Sequence, residues 1–179
     1  GGATLDKNKL SIFDKKLAFE KLSLLNELCN SKGINFLPQT MPPFPWHFGG
    51  QGFHRLFVDP QDLIESQKWT DFKFCMDFSH TFMSCSHLNL DFYESIESVK
   101  FLFDYMHVAD AIYPAEEGIG IGEGDINFLK LRKFINAKDA MWIPEVWNGH
   151  LDEFTGFKNS LIKTISSKNF SISLRRRLG

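Results

Sequence analysis

Phe72-Lys73-Phe74-Cys75-Met76-Asp77 is an apolar run of strand length that stops on a carboxylate. A run this apolar suits a strand covered on both faces, as in a parallel sheet flanked by helices. The same kind of unit recurs on either side of it. Upstream, residues 11–31 place Leu17, Leu22, Leu24, Leu25 and Leu28 at roughly helical spacing, with Lys and Glu between them. Gly33 sits where a helix C-cap belongs, and Ile34 to Leu37 is a short strand run. Asp59-Pro60 predicts a short helix through about Gln67, with Asp as N-cap and Pro in the first turn. Downstream the pattern predicts a helix from Asp91 to Tyr105, with Ile96, Val99, Leu102 and Phe103 on one side, then a strand from Met106 to Ala109. A helix from Asp125 to Ile135, a strand from Met141 to Val146 and a last helix from Phe157 to Ser166 complete the series.

The order is one helix followed by four strand–helix units, which is an α/β chain with about four parallel strands. A (β/α) barrel and an open doubly wound sheet both have this alternation. The open sheet usually shows a Gly-rich phosphate turn after its first strand, and Gln39-Thr40-Met41-Pro42 is not one. Residues 41–54 are crowded with Pro, Gly and aromatic side chains, too long for an ordinary βα loop and therefore expected to be functional.

The 179 residues fit a single domain over 1–179, with 172–179 expected as a flexible tail. A net charge of −2 gives no footprint for nucleic acid or an anionic membrane, so neither is expected as a partner. Arg175-Arg176-Arg177 reads as part of the solvated tail. Nineteen Phe imply a thick aromatic core or a large apolar interface. Cys29, Cys75 and Cys85 form no CxxC pair and no even-numbered framework, as expected of reduced, buried thiols in a cytoplasmic protein. No apolar stretch approaches the ~18–20 residues of a membrane span, and the first residues do not read as a signal peptide.

The polar residues that end the apolar runs carry the chemistry. Gln39, Asp77, His107 and Glu145 each stand at or near the end of a predicted strand, 38, 30 and 38 residues apart. Parallel strands of a barrel point their C-terminal ends at one face, so the four side chains converge there. Oxygen and imidazole donors together suit a divalent cation: Mn, Mg, Co or Zn. Taken singly, an acidic residue after a strand is more often the N-cap of the next helix. An apolar strand that ends in Ile143-Pro144-Glu145 must nevertheless satisfy a partly buried carboxylate, and a cation does so.

Four motifs extend this. Phe74-Cys75-Met76-Asp77-Phe78-Ser79-His80 resembles the Asp-x-x-His strand of the xylose-isomerase-like superfamily of sugar isomerases, epimerases, dehydratases and apurinic endonuclease relatives. His107-Val108-Ala109-Asp110 resembles the following strand. Ile121-Gly122-Glu123-Gly124-Asp125-Ile126 resembles the glycine turn before the next helix, and Ile143-Pro144-Glu145-Val146 resembles the last strand. The resemblance implies strands five to eight of a TIM-type barrel, the C-terminal half, with the first half absent from this sequence. A half barrel exposes its inner face and two sheet edges, so a missing N-terminal half or a homo-oligomer is expected to cover it. The resemblance also makes Asp77, His107 and Glu145 metal ligands, places Gln39 at the fourth ligand position, and gives His80 a substrate contact. Family epimerases carry Glu where Gln39 stands. Gln can ligate through oxygen but cannot take a proton, which leaves Glu145 as the one acid/base. The phosphodiesterase branch has an Asp-x-His before the glycine turn. Here that stretch reads Glu116-Glu117-Gly118, against an endonuclease. Tyr113 stands where some keto-sugar epimerases have Arg.

The expected function is therefore metal-assisted proton transfer next to the carbonyl of a sugar or sugar phosphate, with Glu145 moving the proton and His80 orienting the substrate. A metal-dependent dehydratase or lyase, and an inactive relative with an assembly role, remain open. Trp46 and His47, with His54, are candidates for a carbohydrate pocket wall in the long loop. Asp110 and Glu123 are further substrate-binding candidates. His87 and His150 read as peripheral, Trp142 and Trp147 as packing residues.

Overall fold

The computed structural model describes residues 3–4, 14–44, 52–137 and 141–165. In chain order they form β1 (Ala3–Thr4), α1 (Lys15–Ser31), β2 (Phe53–His54), α2 (Pro60–Ser66), β3 (Phe74–Asp77), α3 (Phe78–Leu88), α4 (Phe92–Val99), β4 (Phe103–Val108), β5 (Asp110–Ile112), β6 (Glu116–Ile119), α5 (Phe128–Ala137), β7 (Met141–Pro144) and α6 (Thr155–Ile165). Among these helices none is long and apolar enough to cross a membrane.

The central sheet is β3-β4-β7, parallel throughout. Gln39 extends it with a parallel bridge to Cys75. The β1–β2 and β5–β6 pairs are antiparallel, so the sheet structure is only partly of the expected parallel kind. Phe74, Met76, Phe103, Met106 and Val108 of the central strands are completely buried. Phe57 and Phe72 meet the Phe74 ring edge-on at 5.0 and 5.3 Å, the favoured geometry for aromatic pairs. The Phe-rich composition thus becomes a thick aromatic core.

Four differences from the sequence reading have local causes. The run Ile34–Leu37 forms no strand. Pro38 has no N–H to donate, and the segment reaches the sheet only where Cys75 N donates to Pro38 O and Thr40 N donates to Cys75 O, at 2.9 and 3.1 Å. Directly after β3 comes α3, which the sequence reading omitted; Asp77 is its N-cap, accepting from His80 N. The helix expected over 91–105 ends at Val99, because aromatic Phe103 and Tyr105 enter β4 instead. Helix α1 buries Phe19 and Asn26, while Leu17, Leu24, Leu25 and Leu28 stay exposed. Phe19 stacks on Phe57 and Trp69 with ring centroids 6.1 and 5.7 Å apart, and that aromatic contact sets which face turns inward.

Candidate functional site

The parallel register brings the strand ends together. Asp77 lies opposite His107, and His107 lies opposite Ile143. Glu145 follows two residues later, its N–H donating to Val108 O at 3.2 Å. One ligand atom from each of Asp77, His107 and Glu145 falls within 4.8 Å of the others. His107 Nδ1 is 2.6 Å from Glu145 Oε2 and 3.7 Å from Asp77 Oδ2.

Asp77 divides its two oxygens. Oδ1 accepts from Ser79 Oγ at 2.9 Å and from His80 N at 3.0 Å, capping α3. Oδ2 accepts from Gln39 Nε2 at 2.9 Å and lies 3.4 Å from His80 Nδ1. Burial pushes the Asp77 carboxyl up, but the His80 charge and the bonds from His107, His80 N and Ser79 outweigh it and hold the group well below the usual carboxylate range. For His107 burial acts downward. The Asp77, Cys75 and Glu145 contacts overcome it and push the imidazole up to about 12. The protonated imidazole thus balances the carboxylates around it, a place that a cation would take by displacing its proton.

The donor set of two carboxylates and one imidazole fits a divalent cation such as Mn, Co or Zn. Glu145 Oε2 fits it too, being paired with His107 Nδ1, itself a candidate ligand. Gln39 presents its amide nitrogen to Asp77 and, at 3.1 Å, to His107 Nδ1. As a carbonyl ligand it would need its amide turned over.

His80 is buried, and its Nδ1 donates to Thr40 O at 2.9 Å, which aims Nε2 at Glu117 Oε2, 4.0 Å away. Thr40 is a site residue the sequence reading passed over. Its hydroxyl accepts from Asp77 N at 2.9 Å and ties the Gln39 segment to β3. In the sequence Glu117 stands out only as the place where a His is lacking. It is 5% exposed, its Oε2 accepts no hydrogen bond, and burial, with Asp77 and Glu145 adding to it against the pull of His80, pushes its carboxyl up to about 7. The signal for it was local: an acidic pair just before a glycine-rich turn.

The other candidates fall elsewhere. Asp110 is fully buried and accepts from Ala111 N, Gly122 N and Ile126 N at 2.9, 2.9 and 3.0 Å, which shapes the 120–126 turn. Glu123 is exposed and accepts from Gly120 N at 3.1 Å. Trp46 and His47 lie outside the described residues, as does the tail over 172–179. His54 is held by Pro42 O at 2.6 Å, and His87 packs edge-on against Phe44. Trp147 is 43% exposed and stands over Gly118, so it is not a core residue; Trp142 is packed against the core.

No curated protein matches the chain. Two solved structures share its fold. One, a D-tagatose 3-epimerase-like protein, is 20% identical with a TM-score of 0.62, over 92% of this chain and 57% of that one. The other, the 3-keto-D-glucoside 4-epimerase YcjR from E. coli in its apo form, is 13% identical with a TM-score of 0.55, over 84% of this chain and 52% of that one. The chain thus spans little more than half the length of these structures. The model of the xylose isomerase-like TIM-barrel family matches residues 10–164, and the chain belongs to that family.

Proposed function

We propose that the chain supplies the C-terminal half of a metal-dependent sugar isomerase or epimerase that moves a proton next to a carbonyl. The observation that carries this is the Asp77–His107–Glu145 cluster at the ends of adjacent parallel strands, in which His107 Nδ1 already meets Glu145 Oε2 at 2.6 Å. The epimerases of similar fold agree with it.

A divalent cation held by Asp77, His107 and Glu145, with Gln39 as a further oxygen donor, would supply Lewis-acid charge beside the carbon that loses its proton. Asp77 is fixed by its cap to α3 and does not move. Glu145, whose side chain is 42% exposed, is the carboxylate that takes and returns the proton. Gln39 cannot take one, so the reading favours a single base that both removes and replaces the proton. His80, locked by Thr40 O, turns Nε2 toward the substrate's hydroxyl or carbonyl oxygen.

The test is elemental mass spectrometry of the purified protein beside His107→Ala. Near-stoichiometric Mn, Co, Zn or Mg in the parent and its loss in the variant are expected. No metal in the parent, even after incubation with each cation, would overturn the reading and leave an inactive relative with an assembly role.

A further inference from the structure

Beyond the cation cluster lies a cleft of about 630 Å³ between the loops that follow β4 and β7. Its walls include Glu116, Glu117, Glu123 and Asp152, with Trp147 packed over Gly118, and among the described residues no Lys or Arg side chain lines it. In (β/α)8 barrels the loops after strands seven and eight often bind a substrate phosphate, using backbone N–H groups at a nearby helix N-terminus. Here that device is blocked. Asp152 Oδ1 accepts from Thr155 N at 3.0 Å and its Oδ2 from Gly156 N at 2.8 Å, so the first amides of α6 already hold a carboxylate. Lys163, the cation beside the Gly122 turn, donates to Ile121 O at 2.5 Å. Glu117 is the buried exception in the wall: its Oε2 faces His80 Nε2 and has no hydrogen-bond donor of its own.

We infer that this cleft takes the uncharged polyhydroxy tail of a sugar and rejects a phosphorylated one, with Glu117 as the specificity-determining residue. The inference rests on the sugar reading of the neighbouring cluster and narrows it. A hydroxyl donates to Glu117 Oε2, which supplies the donor that buried oxygen lacks. The exposed part of the Trp147 indole offers an apolar face to the sugar's C–H groups. A phosphate carrying about −1.5 to −2 charges meets like charge on the walls and a helix N-terminus whose first two amides already hold Asp152.

The experiment titrates the protein, with Mg²⁺ present, against D-fructose and D-fructose 6-phosphate, ligands that differ only in the phosphate. Saturation-transfer NMR reads binding at low ionic strength, where like-charge repulsion is least screened. The expected result is saturable binding of fructose and at least ~10-fold weaker binding of its phosphate. Glu117→Gln should weaken fructose several-fold and narrow the gap. Glu116→Lys, on the exposed rim, should narrow the gap by tightening the phosphate; it decides the question if the buried substitution does not fold. Equal or tighter binding of the phosphate, no binding of either sugar, or an unchanged ratio in the folded variants overturns the inference. Metal content measured on the same samples separates the two readings. A bound cation with no preference for fructose sinks only this inference. A fructose preference without a cation sinks only the metal chemistry.

Discussion

At the scale of single residues, Asp77 can cap a helix with one oxygen and leave the other to the proposed cation cluster, so the two readings of an acid after a strand are compatible. Its Oδ1 is committed to Ser79 and His80 N, and its Oδ2 to the cluster. Two substitutions separate the roles. Asp77→Asn keeps an oxygen for the cap and removes the charge, whereas Asp77→Ala removes both. Both variants should lose the cation, and the Ala variant should be less stable than the Asn variant by about 1 kcal/mol, the usual worth of an N-cap. Urea denaturation of the metal-free proteins reads the difference, and equal stabilities would show that the cap contributes nothing. The alignment of Gln39, Asp77, His107 and Glu145 was legible in the sequence because parallel register repeats one position per unit. Glu117 was not. It sits in an antiparallel hairpin, and its burial comes from packing between segments far apart in the chain, so no spacing rule marks it.

At the scale of elements, local signals were legible wherever the chain decides for itself. The Asp59-Pro60 start of α2 is as the sequence implied, with the Asp59 side chain accepting from Gln61 N at 2.9 Å. Elements fixed by contacts elsewhere were misread. The leucines of α1 have the spacing of a buried stripe, yet Phe19 is the side chain that turns inward. What ties α1 to α2 is an ion pair, Lys15 Nζ to Asp62 Oδ1 at 2.5 Å, in which Asp62 is buried and also accepts from Phe57 N at 3.0 Å. Burial pushes the Asp62 carboxyl up despite the Lys15 bond. Lys15→Ala should cost about 1–2 kcal/mol, below the figure for a fully buried pair because Lys15 is 43% exposed and solvent screens it. The sign with pH follows from the raised carboxyl. The folded state favours the protonated acid, so the stability lost in Lys15→Ala is greatest at neutral pH and shrinks as the pH falls through the folded-state value. Denaturation at pH 8 and pH 5 checks this, and an equal cost at both would mean that Asp62 is not held as a buried charge.

At the scale of the molecule, the sheet is unfinished on both sides. Among the described residues β7 pairs with β4 alone, and the Gln39 segment pairs with β3 alone. Strand side chains alternate between faces, so Met141 and Ile143 share one side of β7, and both are exposed, Met141 by 69%. An edge that is apolar, parallel and uncharged is a template for another strand. The exposed leucines of α1 add a second apolar face. A barrel removes such edges by closing, and this chain spans only 57% and 52% of the two structures that share its fold. The same open edge leaves Glu145, just beyond β7, at the margin of the sheet, so a strand added to β7 would also wall the proposed cation cluster. The isolated chain is expected to self-associate with rising concentration in sedimentation velocity runs, and the double substitution Met141→Lys with Ile143→Lys should shift it toward monomer by placing two charges on that edge. Cation affinity should fall in the double variant, since the ligand Glu145 loses its cover while His107 and Asp77 keep theirs. A parent that stays monomeric at every concentration, and binds the cation as well as the variant does, would show that the edge needs no partner.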